Sequence, residues 1–213
     1  MLSASFIPVY AHLLARGEED EADRVASAVF CLLSLVLSCL VIVGVLATPP
    51  LIDAIAPGFE GAKRELTISL VRILFPGTAL LALSAWCLGI LNSHRRFFIS
   101  YTAPVAWNLV MIASLIGFGS HFEQFPLTKA LAWGSVVGSA VQFGLQLPQV
   151  ARLMHQFRVS TGLGMASVQT VIRNFVSVFI SRGVVQISAY IDALLASFLP
   201  TGLKIKRLMH KPV

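Results

Sequence analysis

Apolar residues run along this chain in long blocks separated by short polar breaks. Val25 to Thr48 carries no charge, and neither does Ile73 to Ser93, whose apolar pattern extends back to Leu66 with Arg72 inside it. Phe97 to Ser120 is uncharged and contains Asn108. Ala130 to Val150 is uncharged and contains Gln142, Gln146 and Gln149. About 20 apolar residues in a helix cross the hydrocarbon core of a bilayer. A helix satisfies its own backbone there, where no water can. The pattern therefore predicts four membrane-spanning helices directly. Two further segments are less simple. Met1 to Ala15 is apolar but short, either the inner half of a longer helix or an interfacial segment. Val168 to Leu199 is long enough to span but carries Arg173, Arg182 and Asp192.

The breaks predict the connections. Arg16 to Arg24 is a charged turn holding Glu18, Glu19, Asp20, Glu21 and Asp23. Pro49 to Glu65 is a longer loop with Pro49, Pro50, Pro57 and Gly58. His94, Arg95 and Arg96 form a tight basic turn, His121 to Pro126 is short, and Arg152 to Ser167 is a longer linker. Alternating these loops across a membrane places Arg16, Arg24, Arg95, Arg96, Arg152 and Arg158 on one side, and Lys63, Arg64 and Lys129 on the other. The positive-inside rule assigns the first set to the cytoplasm. The tail after Gly202, with Lys204, Lys206, Arg207 and Lys211, breaks that rule.

Composition agrees with the pattern. Of 213 residues, 56% are hydrophobic and 12% charged, against about 25% charged in a soluble domain. The net charge of +6 points to membrane-surface anchoring and not to nucleic acid, because the basic residues sit between apolar runs. Cys31, Cys39 and Cys87 lie inside apolar spans and read as small buried hydrophobes, not as a disulfide set or metal site. No basic region precedes the first apolar stretch, so no cleavable signal peptide is expected. No nucleophile–base pair, phosphate-cradling glycine loop, HExxH, CxxC or paired catalytic carboxylate is present, and the chain reads as a non-enzyme.

The candidate functional residues are polar groups inside spans, where an Arg or Asp costs roughly 2.5–3.5 kcal/mol on insertion scales. In the last span Asn174, Ser181, Ser188 and Asp192 share one helix face, and Arg182 and Gln186 form a second polar pair beside it. They line a hydrated cavity with Asp192 as a cation ligand, or they glue helices together. Arg173 near the cytoplasmic end and Arg72 near the outer end either snorkel to the headgroups or face the cavity. Asn108 and Gln142 read as interhelical hydrogen-bonding groups. Pro76, Pro104 and Pro148 are expected to kink their helices.

Ordered short motifs add a resemblance. They are SASFIPVYA at Ser3 to Ala11, APGF at Ala56 to Phe59, LVRILFP at Leu70 to Pro76, GILNSHRRF at Gly89 to Phe97, then Pro104 and Asn108, QLPQV at Gln146 to Val150, and VVQISAYIDALLASFLPTG at Val184 to Gly202. In this order and spacing the chain resembles the MurJ (MviN) family of lipid II flippases, within the multidrug/oligosaccharidyl-lipid/polysaccharide exporter superfamily. The resemblance covers Leu2 to Gly202. It implies an all-α integral membrane protein of about five to six transmembrane helices, most of one six-helix lobe of an exporter fold. The segment 1–202 would run from the end of family helix two to helix seven, with 203–213 a basic tail outside the pattern. The family carries lipid II, the undecaprenyl-linked peptidoglycan precursor, between leaflets of the bacterial cytoplasmic membrane by alternating access around a cationic cavity. No cofactor is implied beyond coupling to a sodium ion or the membrane potential. Asp192 matches a position that some members use as a sodium ligand.

The chain departs from the family pattern in lacking helix one, which carries cavity arginines, and the second lobe. It is expected to be a truncated or frameshifted member, inactive alone and partnered by the missing lobe. The competing readings are a polysaccharide-lipid or drug exporter of the same superfamily, and a non-transporting membrane scaffold.

Overall fold

The computed structural model describes residues 2–56, 58–119 and 124–198, with side chains in the last helix described through Ser188 apart from Ile187. Six helices follow one another: α1 (Leu2–Ala15), α2 (Glu19–Ile55), α3 (Gly61–Ser93), α4 (Phe97–Gly119), α5 (Gln124–Leu153) and α6 (Ala166–Phe198). No strand occurs among the described residues. Helices α2, α3 and α4 are long and apolar enough to cross a membrane by length and composition. The uncharged block in α5 is more polar, and two of its polar side chains, Ser139 and Gln146, are fully buried inside the bundle.

Two connections are shorter than the sequence pattern predicts. The acidic stretch at 19–23 is the first part of α2 and not a turn. Carboxylates there suit the partial positive charge of a helix N-terminus. The turn is reduced to residues 16–18, where Gly17 takes φ +75° and donates its N–H to the Leu14 carbonyl at 3.0 Å, a helix stop that favours glycine. At the other end α2 continues through Pro49 and Pro50 to Ile55, and α3 starts at Gly61, so the proline-rich loop shrinks to 56–60. A proline inside a helix leaves the carbonyl four residues earlier without its donor. For Pro49 that carbonyl belongs to Val45, and it accepts instead from Arg72 Nε of α3 at 3.2 Å. Asp53 and Arg64 then close the turn with two bonds of 2.6 and 2.8 Å.

Helix α3 is the hub, packing on α1, α2, α4 and α5. Gly44 of α2 faces the Phe75 ring of α3, which occupies the space a Cβ would take; small residues at such interfaces let membrane helices approach closely. The contact with α5 is polar at its centre. Ser84 Oγ donates to Gln146 Oε1 at 2.5 Å and accepts from Gln142 Nε2 at 2.8 Å. Gln142 thus bonds across helices as predicted. Asn108 does not. Its amide donates to the Pro104 carbonyl of its own helix at 3.1 Å, because one turn back is the nearest acceptor for an exposed side chain on α4. The three cysteines are unpaired, and only Cys87 is fully buried; Cys39 is exposed.

The tightly packed core lies at one end, here the near end, where the α1–α2, α3–α4 and α5–α6 connections meet. Phe6, Tyr10, Val25, Trp86, Ile90 and Val168 are all fully buried there. Away from it the outer faces are apolar and uncovered. In α2, Leu35 and Leu46 are 65% and 72% exposed. In α4 the same holds for Tyr101, Val105, Leu109, Ile112 and Ile116, which follow a helical repeat along one face. Water would not tolerate apolar surface on this scale, and lipid does.

The α3–α5 polar contact makes a direct prediction. Ser84→Ala combined with Gln146→Leu and Gln142→Leu removes all three members of the network and is expected to change bundle stability by under about 1 kcal/mol. Ser84→Ala alone, which strands Gln146 Oε1 and Gln142 Nε2, is expected to cost about 1–2 kcal/mol. Reversible unfolding in mixed micelles measures both.

Candidate functional site

The polar face predicted on the last span lies on a helix that the bundle holds only at its start. Among the described residues, α6 packs against α1 and α2 and no other helix. Val168 and Val171 are buried in the near-end core, and Asn174 is half-buried one turn further on. Beyond this point Ser181, Arg182, Gln186 and Ser188 are all exposed, as are the apolar Phe179, Ile180, Val184 and Val185. The polar side chains therefore share an unpartnered length of helix, with apolar side chains flanking them. The Asp192 side chain and the tail at 203–213 lie outside the described residues. No group of three or more His, Cys, Asp or Glu side chains suited to a metal occurs among the described residues. Arg72 is remote from this face, on α3 at the opposite end, held by the Val45 carbonyl.

What aims α6 is a set of contacts that the hydropathy pattern hides. Asp23, read from the sequence as one acid in a charged turn, is only 4% exposed. Its Oδ2 accepts from the backbone N–H of His155 at 2.8 Å and of Gln156 at 3.0 Å. One turn along, Ser27 Oγ donates to the Asp23 carbonyl at 2.7 Å and accepts from the Arg158 N–H at 3.3 Å. Ser167, in the first turn of α6, donates to Glu21 Oε1 at 2.7 Å. Gly162, at φ +54°, turns the linker against α2, where an added Cβ would lie 2.7 Å from the Ala28 methyl. The first three turns of α2 thus hold the α5–α6 linker at His155, Gln156, Arg158 and Gly162. The signal available in the sequence was the Asp23–Ser27 pair, one helical turn apart at the edge of an apolar block.

Beside the clasp is a cavity of about 220 Å³ lined by Leu14, Glu19, Asp23, His94, Arg152 and His155. His94 is hydrogen-bonded to the Tyr10 hydroxyl at 3.0 Å, and His155 Nδ1 lies 4.0 Å from Glu19 Oε2. Burial pushes the His94 imidazole below its ordinary value; the carboxylates of Asp23 and Glu19 oppose that shift, and Arg96 and His155 add to it. The basic turn beside it bends through Arg95, which holds φ 58°, a conformation non-glycine residues adopt rarely.

These features define a class: a helical membrane protein with a polar-clasped end and a helix, α6, whose described side chains beyond Asn174 are a mixture of exposed polar and apolar groups. Residues 1–205 match the family described as lipid II flippase MurJ. The chain is 34% identical over 204 residues to a probable lipid II flippase MurJ of Rhizobium tropici, a match covering 92% of this chain and 37% of the relative. It is 27% identical over 206 residues to a lipid II flippase MurJ of Burkholderia cenocepacia, covering 94% of this chain and 40% of that protein. It is also 28% identical to a probable lipid II flippase MurJ of Rickettsia prowazekii, covering 96% and 40%. The chain belongs to the lipid II flippase MurJ family, and it spans about two-fifths of the length of these curated relatives.

Two outcomes follow from the clasp. Asp23→Ala leaves two linker N–H groups without their acceptor, a loss of about 2–3 kcal/mol. It is expected to open residues 154–165 to hydrogen exchange and protease while α3 and α5 stay protected. The His94 shift sets a sign with pH. A depressed imidazole favours the folded end above about pH 6.5, and that contribution is lost as pH falls, because the unfolded chain then takes up a proton the folded one resists. Unfolding measured from pH 7.5 to 5.5 is expected to show falling stability, with a shallower slope in His94→Gln.

Proposed function

We propose that this chain is the greater part of the first transmembrane lobe of a lipid II flippase, seated in the bacterial cytoplasmic membrane with its near end in the cytoplasm. The orientation rests on the excess of Arg16, Arg24, Arg95, Arg96, Arg152 and Arg158 at the near end over Lys63, Arg64 and Lys129 at the other. In this reading α6 forms one wall of the path taken by the sugar–pyrophosphate–peptide headgroup. Asn174, Ser181, Arg182, Gln186 and Ser188 present donors along that wall, and Arg182 supplies a fixed positive charge for a pyrophosphate. The apolar outer faces of α2 and α4 stay in lipid.

The single observation that carries this reading is the unpartnered polar length of α6 in a chain whose residues 1–205 match the flippase family. Polar side chains in a membrane helix need a cavity or a partner, and a second lobe supplies both. Transport by this route breaks no covalent bond, so no catalytic group is required of the chain. Asp192 is the sodium ligand in this reading, with the membrane potential as the alternative drive.

Complementation tests it. In a bacterium depleted of its own flippase, the chain alone is expected not to restore lipid II export. Joined in frame to the remaining portion of the Rhizobium tropici relative, it is expected to restore growth. Arg182→Ala with Gln186→Ala in that joined protein is expected to lower export roughly tenfold, the size of one lost charged contact. Rescue by the chain alone, or failure of a stably inserted joined protein, would overturn the proposal.

A further inference from the structure

A groove of about 580 Å³ runs between α3 and α5 toward the α2–α3 turn, lined by Glu65, Ile68, Arg72, Pro76, Trp133 and Val136. Its volume falls in the range of sites that take small ligands. The depth is apolar and the mouth is charged. Glu65 and Arg72 are seven residues apart on α3, two turns along one face. Glu65 therefore sits about 10 Å nearer the helix end than Arg72. Arg72 falls immediately before the uncharged block that starts at Ile73, which puts it at the hydrocarbon boundary. Trp133, 58% exposed, lies three residues into the uncharged block of α5, at the level where tryptophan settles in bilayers. Arg72 uses Nε to hold the Val45 carbonyl. Among the described residues no bond involves its two Nη groups.

We infer that this groove is a binding site for a zwitterionic phospholipid of the phosphatidylethanolamine type. One acyl chain lies along Ile68, Pro76, Trp133 and Val136, the phosphodiester meets the Arg72 Nη groups, and the ammonium meets Glu65. Charge order selects the occupant. A lipid phosphate lies at the boundary with its amine beyond it, and here the guanidinium lies at the boundary with a carboxylate beyond it. An anionic phospholipid would gain Arg72 but face Glu65, the one acid lining the groove, with Lys129 on the far side of Glu65 in an adjoining cavity. A phosphatidylcholine would keep the charges and lose the N–H donors that a carboxylate accepts. The inference rests on the membrane placement proposed above and not on transport.

The experiment is photolabelling of the full chain in nanodiscs. The probe is a phosphatidylethanolamine with a diazirine on one acyl chain, and labelled sites are mapped by peptide mass spectrometry. Expected labelling concentrates on Ile68, Trp133 and Val136. Unlabelled phosphatidylethanolamine competes roughly threefold to fivefold better than phosphatidylglycerol or phosphatidylcholine, the size of one exposed charge pair. Glu65→Gln is expected to erase that preference without touching the Arg72–Val45 bond. Val136→Trp is expected to abolish groove labelling by filling it. Labelling of the α4 face at Leu109 and Ile112 reports insertion independently. If α4 is labelled as strongly as the groove, or if phosphatidylglycerol competes equally and Glu65→Gln changes nothing, the site does not exist as proposed while the membrane placement stands. An unlabelled groove beside a labelled α4, because a second copy or another segment covers it, overturns the inference as well.

Discussion

The carboxylate of Asp23 accepts two backbone N–H bonds from the α5–α6 linker, and the position of α6 depends on that contact. A carboxylate that is 4% exposed is costly unless its oxygens are satisfied. Backbone donors satisfy it without bringing a second charge into the core. The linker gains in return, since an irregular segment beside a bundle has N–H groups that need acceptors. Ser27 and Glu21 repeat the arrangement on either side. The result is a helix held over its first two turns, whose described polar side chains from Ser181 to Ser188 are exposed.

The same accounting of backbone groups explains the far end. Pro49 and Pro50 were expected to break a helix, and they do not. The carbonyl that Pro49 deprives of its donor belongs to Val45, and the Arg72 guanidinium takes it. That bond also gives Arg72 a structural role that neither of its two sequence readings, snorkelling or cavity lining, included. Between the ends, Ser84 Oγ pairs the Gln146 carbonyl and the Gln142 amide nitrogen, which joins α5 to α3 through polar side chains in the bundle interior. Among the described residues, the buried Asp23, Ser27, Ser84 and Gln146 each bond across to another helix or to the linker. The described side chains of Ser181, Arg182, Gln186 and Ser188 on α6 are exposed, and in a membrane such groups need a cavity or a partner.

The hydropathy pattern alone determined that the chain is a helical membrane protein, and it located the helices. Blocks of uncharged residues are one-dimensional facts, because a helix solves its backbone hydrogen bonding within itself. The ordered motifs likewise carried the family, which the match over residues 1–205 bears out. Helix ends were less legible. The acidic stretch at 19–23 looks like a turn by charge but suits a helix start by dipole, and charge alone does not distinguish the two. Tertiary structure decided the rest. Whether Asn108 bonded its own helix or a neighbour, which carbonyl Arg72 reached and which acid was buried all depended on where other helices lay. Asp23 and its four acidic neighbours look alike along the chain, and only the linker returning some 130 residues later selects one of them. Contacts between positions so far apart leave no periodic trace in sequence, so the groups that aim α6 became visible only once the chain was folded.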